Sequence, residues 1–260
     1  MTHRTNKEKL EMRLNLTTLL ATTLALALGS PLARGDQPGV TPLASTTDLE
    51  ITATRARHID ELDLVVFEME VAGQAGGTVP VARGRMDGAP VLAYVFPTSL
   101  SPEAVGFGAV DGTLALVATS HPDFDDTPLW DESGDGRYDN DGAIFHTHWV
   151  VLTADDRVPG GLSVLEIGEG EEAILPPTNP GMPMYMDSPG LSVVLRDQTL
   201  RILVPAWRIR HQLDFSFDSV TAYLEVNMSD EDRPMLGVYE VYSVASGDLS
   251  LPYRLERTNR

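Results

Sequence analysis

Cysteine is absent from the 260 residues, and lysine occurs only at positions 7 and 9. A chain without thiols forms no disulfide, no zinc finger, no cysteine nucleophile and no blue-copper centre. Beyond residue 9, Schiff-base chemistry on lysine is excluded as well. Basic residues of any kind are scarce: 19 Lys and Arg stand against 38 Asp and Glu, a formal charge of −19. Phosphate backbones and anionic membrane surfaces are bound through Lys and Arg, so this balance speaks against nucleic acid and membrane partners. Neither a G-x-S-x-G elbow nor a phosphate-binding glycine loop is present. Paired catalytic carboxylates cannot be singled out from so many acids.

Long apolar runs are equally rare, and the one that exists lies at the start. Arg4, Lys7, Lys9 and Arg13 precede an apolar stretch from Leu14 to Leu28, and small residues follow at Ala25-Leu26-Ala27 and Ala33-Arg34-Gly35. A basic head, a short apolar centre and small residues before a cut are the anatomy of a secretory signal peptide, assigned here to residues 1–35. About 15 apolar residues fall short of the ~20 that a spanning helix needs. The expected destination is the periplasm or the exterior by the Sec route, since no twin arginine precedes the run and no cysteine follows it for a lipid anchor. After signal cleavage no membrane attachment is expected. Residues 1–35 hold five basic and two acidic side chains, so the remainder carries 14 basic against 36 acidic, or −22. Such acidity fits high solubility, cation binding, or a saline habitat where carboxylates hold hydrated ions.

What remains is rich in strand signals. Residues 36–48, with Pro, Gly, Ser and Thr, read as a flexible lead-in. From there on, β-branched and aromatic residues alternate with polar ones in the period-two pattern of half-buried strands. Leu62–Val71 sets Val65, Phe67, Met69 and Val71 against Glu68 and Glu70. Val91–Phe96 is a continuous apolar run and reads as a central strand. Further strands are expected at 113–119, 143–152, 162–167, 191–195, 200–204, 220–226 and 236–244, with residues 196–199 as a hairpin turn. No helical stripe longer than two turns follows the signal. About ten short strands joined by Gly, Pro and Asp turns predict an all-β antiparallel sandwich or jelly-roll-like barrel. Residues 49–260 are read as a single domain.

Two connections exceed what such a fold requires, 121–142 and 176–190, and long structured loops in compact domains are commonly functional. The first contains Asp131-Glu132-Ser133-Gly134-Asp135-Gly136, with oxygen donors at positions 1, 3 and 5, a glycine at 6, and Asp139 at 9. This resembles the opening of an EF-hand calcium loop, in which alternating oxygens surround a hard cation. It departs at position 12, where Gly142 replaces the bidentate glutamate; Asp141, Asp125 or Asp126 are the available substitutes. The expectation is a calcium clip on Asp131, Ser133, Asp135 and Asp139, against the plainer reading of an ion-free acidic turn. At millimolar calcium and a Kd of roughly 0.1–1 mM, such a clip contributes only about 0.4–1.4 kcal/mol, which suits a structural role.

The loop runs into His146-Thr147-His148. On a strand, residues i and i+2 share a face, which puts the two imidazoles about 6–7 Å apart, with Phe145, Thr147 and Trp149 turned into the core. Convergent neutral imidazoles are ligands for zinc, copper, nickel or iron, and zinc or copper is the expected ion. His121 is the expected third ligand, with Asp123, Asp125 and His211 as alternatives. The competing reading is a pair of histidines lining a solvated strand face. Only the His-x-His element is shared with the first cupin motif: three residues rather than five separate Gly142 from His146, and no glutamate or Gly-Pro-His element follows at the required place. In the second loop, Met182, Met184 and Met186 project to one side of an extended chain, either as soft ligands for Cu(I) or as a methionine-lined flap packed over the sheet. Trp130, Trp149, Trp207, Tyr138 and Tyr185 could make a sugar platform, although three tryptophans are also an ordinary core complement. The sequence therefore points to an exported metal-binding β protein whose partners are metal ions. The alternatives are a metal-dependent enzyme using the same histidines and a calcium-stabilised cell-surface or carbohydrate-binding module.

Overall fold

The computed structural model describes residues 42–83, 85–121, 130–138 and 141–257. The proposed signal peptide and residues 36–41 of the lead-in lie outside the described residues, while 42–48 are described. Among those described there are fourteen strands, and the only helical elements are five 3-10 turns of three or four residues. The strands are β1 (Ile51–Ile59), β2 (Leu64–Val71), β3 (Ala89–Pro97), β4 (Thr113–Ser120), β5 (His146–Ala154), β6 (Leu162–Val164) and β7 (Met186–Asp187). They continue with β8 (Ser192–Arg196), β9 (Thr199–Pro205), β10 (Ser216–Phe217), β11 (Val220–Val226), β12 (Leu236–Val244), β13 (Tyr253–Arg254) and β14 (Glu256–Arg257). The all-β class expected from the alternation is what the chain adopts.

Six strands close on themselves. The order β4-β3-β11-β12-β6-β5 is completed by pairing of β5 back onto β4, and every pairing around the ring is antiparallel. Closure removes free sheet edges, with β7 attached to β5 alongside β6. A separate five-stranded sheet, β14-β1-β2-β9-β8, provides the second layer, and β10 and β13 form a small ribbon. The Arg196–Thr199 segment is the predicted tight turn between β8 and β9, with Asp197 in the left-handed region at φ 53°.

Because side chains alternate across a strand, the closed sheet creates two cores. Leu92, Tyr94 and Phe96 of β3, Leu114 and Leu116 of β4, and Trp149 and Val151 of β5 face outward. They pack against Val65, Phe67 and Met69 of β2 and Leu200, Ile202 and Val204 of β9. Phe67 is at the centre, with the rings of Phe96, Phe215 and Phe217 within 6.0 Å of it. The alternate residues fill the lumen: Val91, Ala93, Val95, Ala115, Val117, Val150, Ala222, Leu224 and Val226 form a distinct cluster. A six-stranded barrel is narrow, and the run of Ala and Val on its inner face is what fits. On the far side of β2, Glu68 is buried rather than solvated, since Arg55 and Arg201 both pair with it.

Candidate metal centre

The register of β4 against β5 assembles the histidines. Val117 lies opposite His148 and Thr119 opposite His146, so the chain leaving β4 brings His121 beside His146 on the same inner face. The intervening loop is pinned where it begins and ends: the His121 N–H donates to Gly142 O at 2.8 Å, and the Ser120 hydroxyl donates to Ala143 O at 2.9 Å. All three imidazoles lie on the lumen side of the barrel wall, at one end. On the next strand round, Ala93 pairs with Thr119, and Ala222 pairs with Ala93. Two alanines at this level leave room for aromatic rings that a tightly filled lumen would not admit.

His121, His146 and His148 are 2%, 1% and 2% exposed, and one ring nitrogen from each lies within 4.8 Å of the others. His121 and His146 approach through their Nε2 atoms at 2.8 Å. Their ring centroids are 4.5 Å apart, and those of His146 and His148 are 4.8 Å apart, closer than the spacing expected from strand geometry alone. The protons can be assigned from the partners. His146 Nδ1 lies 2.7 Å from Ile144 O, an acceptor, so Nδ1 carries the hydrogen and the Nε2 of a neutral His146 offers a lone pair. His148 Nδ1 is 3.0 Å from the Ser188 hydroxyl, which leaves Nε2 as the remaining ring nitrogen. Engaging the outer nitrogen of each ligand is how metal-binding histidines are oriented. A tetrahedral zinc with bonds of 2.0–2.1 Å requires nitrogen separations of roughly 3.3 Å, which the observed spacings bracket.

Ser188 and its surroundings were not legible as functional in the sequence. The Ser188 carbonyl accepts the Trp130 indole N–H at 2.9 Å, and the Ser188 N–H donates to Thr178 O. The Trp130 ring occupies the space beside Gly190, whose φ of 62° and lack of a Cβ both make glycine necessary there. The start of the acidic loop is thereby fixed to the segment that orients His148. On the opposite face of β5, the Thr147 hydroxyl accepts the Leu191 N–H at 3.0 Å, holding the same segment against the strand. Thr119 was also missed. It is 6% exposed, and its hydroxyl is buried without a hydrogen-bond partner among the described residues.

In the acidic loop, Asp131 accepts the Gly134, Asp135 and Gly136 N–H groups at 2.7–3.0 Å and the Ser133 hydroxyl at 3.4 Å, and Asp135 accepts the Arg137 N–H. Asp141 is buried, with one oxygen accepting the Ser133 N–H at 2.8 Å and the other lacking a hydrogen bond among the described residues. Asp139 lies outside the described residues, as do Asp123, Asp125 and Asp126. The clustering of metal-ligating side chains among the described residues brings together only the three histidines.

Other expected ligands lie elsewhere. His211 is half-exposed and 3.0 Å from Asp63, outside the cluster. Met184 and Met186 are buried in the lumen core with Met182 packed against them, so of the two roles expected for these side chains it is the packing one that they fill. Trp149 and Tyr185 are core residues, Trp130 is committed to Ser188, and Trp207 and Tyr138 are exposed. Neither a protein-family model, nor a curated protein, nor a solved structure matches this chain.

Proposed function

We propose that the protein is an exported metal-binding β-barrel protein that holds a transition ion, zinc or copper, on His121, His146 and His148. One observation carries this reading: three buried imidazoles converge through ring nitrogens within 4.8 Å of one another. Two of them have their outer nitrogens engaged by Ile144 O and Ser188. Neutral imidazoles are the form that binds metal. Three protein ligands is the ligand count of catalytic rather than structural zinc, which favours a metal-dependent enzyme as the second reading. We further propose a structural calcium ion in the Asp131–Asp141 loop. Support comes from the Asp131 carboxylate drawing the loop around itself and from the buried Asp141, one position from the missing glutamate of the motif.

The test is elemental analysis of purified protein before and after EDTA. One zinc or copper per chain is expected in the wild type, with loss in His146→Ala and His148→Ala. Absence of any transition metal from the wild type sinks the reading. Calcium content that is equal in the wild type and in an Asp131→Ala, Asp135→Ala double variant would remove the calcium clip. N-terminal sequencing of the chain from a native host tests export, with a start between residues 28 and 36 expected from the two small-residue cleavage sites.

A further inference from the structure

Among the described residues, Thr119 is a polar group at the level of the histidines that the metal reading does not use. Thr119 is directly cross-strand from His146, two residues before His121, on the same inner face. Directly opposite residues on an antiparallel pair have Cβ atoms about 4.5–5.5 Å apart, so the Thr119 side chain stands beside the imidazoles. Its other strand partner is Ala93, and the next residue round the barrel is Ala222, neither of which offers a hydrogen bond. The hydroxyl is buried and has no partner among the described residues. A valine has the same shape and would pack against Ala93 and Val117 without stranding a hydroxyl. An unsatisfied buried hydroxyl is costly, and a fold keeps such a group where it serves something other than packing.

We propose that Thr119 receives the exogenous ligand of the histidine centre. Its hydroxyl hydrogen-bonds the water, or the small anion in its place, that occupies the coordination position left open by His121, His146 and His148. This rests on the reading of those histidines as metal ligands. The hydroxyl donates to an anion or hydroxide and accepts from a neutral water, so it holds either form of the ligand in place. The flanking alanines and valines confine the position to small species and leave Thr119 as the group that selects for hydrogen-bonding ones.

The experiment uses full-length protein loaded with Co(II), with azide as the probe and the visible d–d band as the readout. Wild type is expected to take up one cobalt per chain and to respond to azide. Thr119→Val is expected to retain the cobalt while its azide affinity falls about tenfold or more, the loss of one hydrogen bond to a charged group. Thr119→Ser is expected to restore affinity to near the wild-type value. Without metal, Thr119→Val should melt at a higher temperature than the wild type, because the stranded hydroxyl is gone. If Thr119→Val fails to fold, Thr119→Ala provides the same comparison. Unchanged azide affinity in a cobalt-loaded variant overturns the proposal, as does a wild-type cobalt protein that ignores azide. Failure of the wild type to bind cobalt is a different result: it overturns the metal reading itself.

Discussion

Ser188 shows how a small side chain controls a larger one. Its hydroxyl is the partner of His148 Nδ1, and its own backbone is held by Trp130 and Thr178. Removing such an outer partner leaves the ligand in place but frees its ring to rotate, which typically lowers metal affinity by about 10–100-fold. Ser188→Ala is therefore expected to weaken zinc binding in competition titrations by that factor, with stability falling by no more than about 1.5 kcal/mol. Asp155 acts on stability instead. The Arg157 guanidinium, with the Ser163 hydroxyl adding to it, holds the carboxyl down at about 2 against the buried position of the group. A carboxylate with a depressed folded pKa stabilises fully above its unfolded value of about 3.8, and that contribution is lost as pH falls from about 4 towards 2. Arg157 is 37% exposed, so screening reduces the effect to about 1–2 kcal/mol. The urea-unfolding difference between wild type and Asp155→Asn should be full at pH 6 and shrink towards zero by pH 2. Glu225 behaves in the opposite sense. Burial raises its pKa, so what it costs at neutral pH is recovered as pH falls through that raised value.

At the scale of elements, β5 is the hinge of the design, with function on one face and packing on the other. Its period-two pattern made both faces readable: His146 and His148 were separated from Trp149 by alternation alone, and Trp149 is in the core as expected. The continuous apolar run of β3 likewise announced a strand buried on both sides. What alternation cannot reveal is closure. Had the sheet remained open, the histidine face would have met solvent; because β5 pairs back onto β4, it lines a lumen instead. The register 119 to 146 is what delivers His121, and register is set by pairing partners distant in sequence. β1 went unread for a related reason. Arg55 and Arg57 interrupt its apolar pattern, yet Arg55 is committed to the buried Glu68 and Ala56 is the small residue that enters the core. The Trp130–Gly190 contact was hidden too, since it joins two loops whose separation gives no periodic signal. It supplies its own test. In Gly190→Ala, a methyl group would have to occupy the position of the Trp130 ring at a left-handed φ, which costs at least about 1–2 kcal/mol from the backbone alone. A lowered urea midpoint is expected, together with a shift in Trp130 fluorescence and weaker metal binding, because Ser188 is two residues away. A change in stability with metal affinity intact would show that the Trp130 contact does not position Ser188.

For the whole molecule, the decisive quantity is charge. With residues 1–35 removed, 14 basic side chains, all of them arginine, face 36 acidic ones. Several of the arginines are committed to particular acids: Arg55 and Arg201 to Glu68, Arg157 to Asp155 and Glu166, Arg233 to Asp230, and Arg254 to Asp214. Once these are paired, the remaining carboxylates repel one another across the surface, and a net charge this far from zero opposes the compact state. Added salt acts on both contributions. The exposed pairs are worth about 0–1 kcal/mol each and lose part of that, whereas the repulsion among some twenty uncompensated charges is long-ranged and is screened as the Debye length falls from about 30 Å at 0.01 M to about 3 Å at 1 M. The repulsive sum is the larger, so the melting temperature of the EDTA-treated protein should rise with sodium chloride, most steeply below about 0.15 M. Sodium sulfate matched for ionic strength separates screening from the general strengthening of apolar burial by excluded anions. If screening is the cause, the two salts coincide at low concentration and diverge only at high concentration. A melting temperature that falls as sodium chloride is first added would mean that the arginine pairs outweigh the repulsion, and the acidity would then have to be explained by bound cations rather than by tolerance of a saline medium.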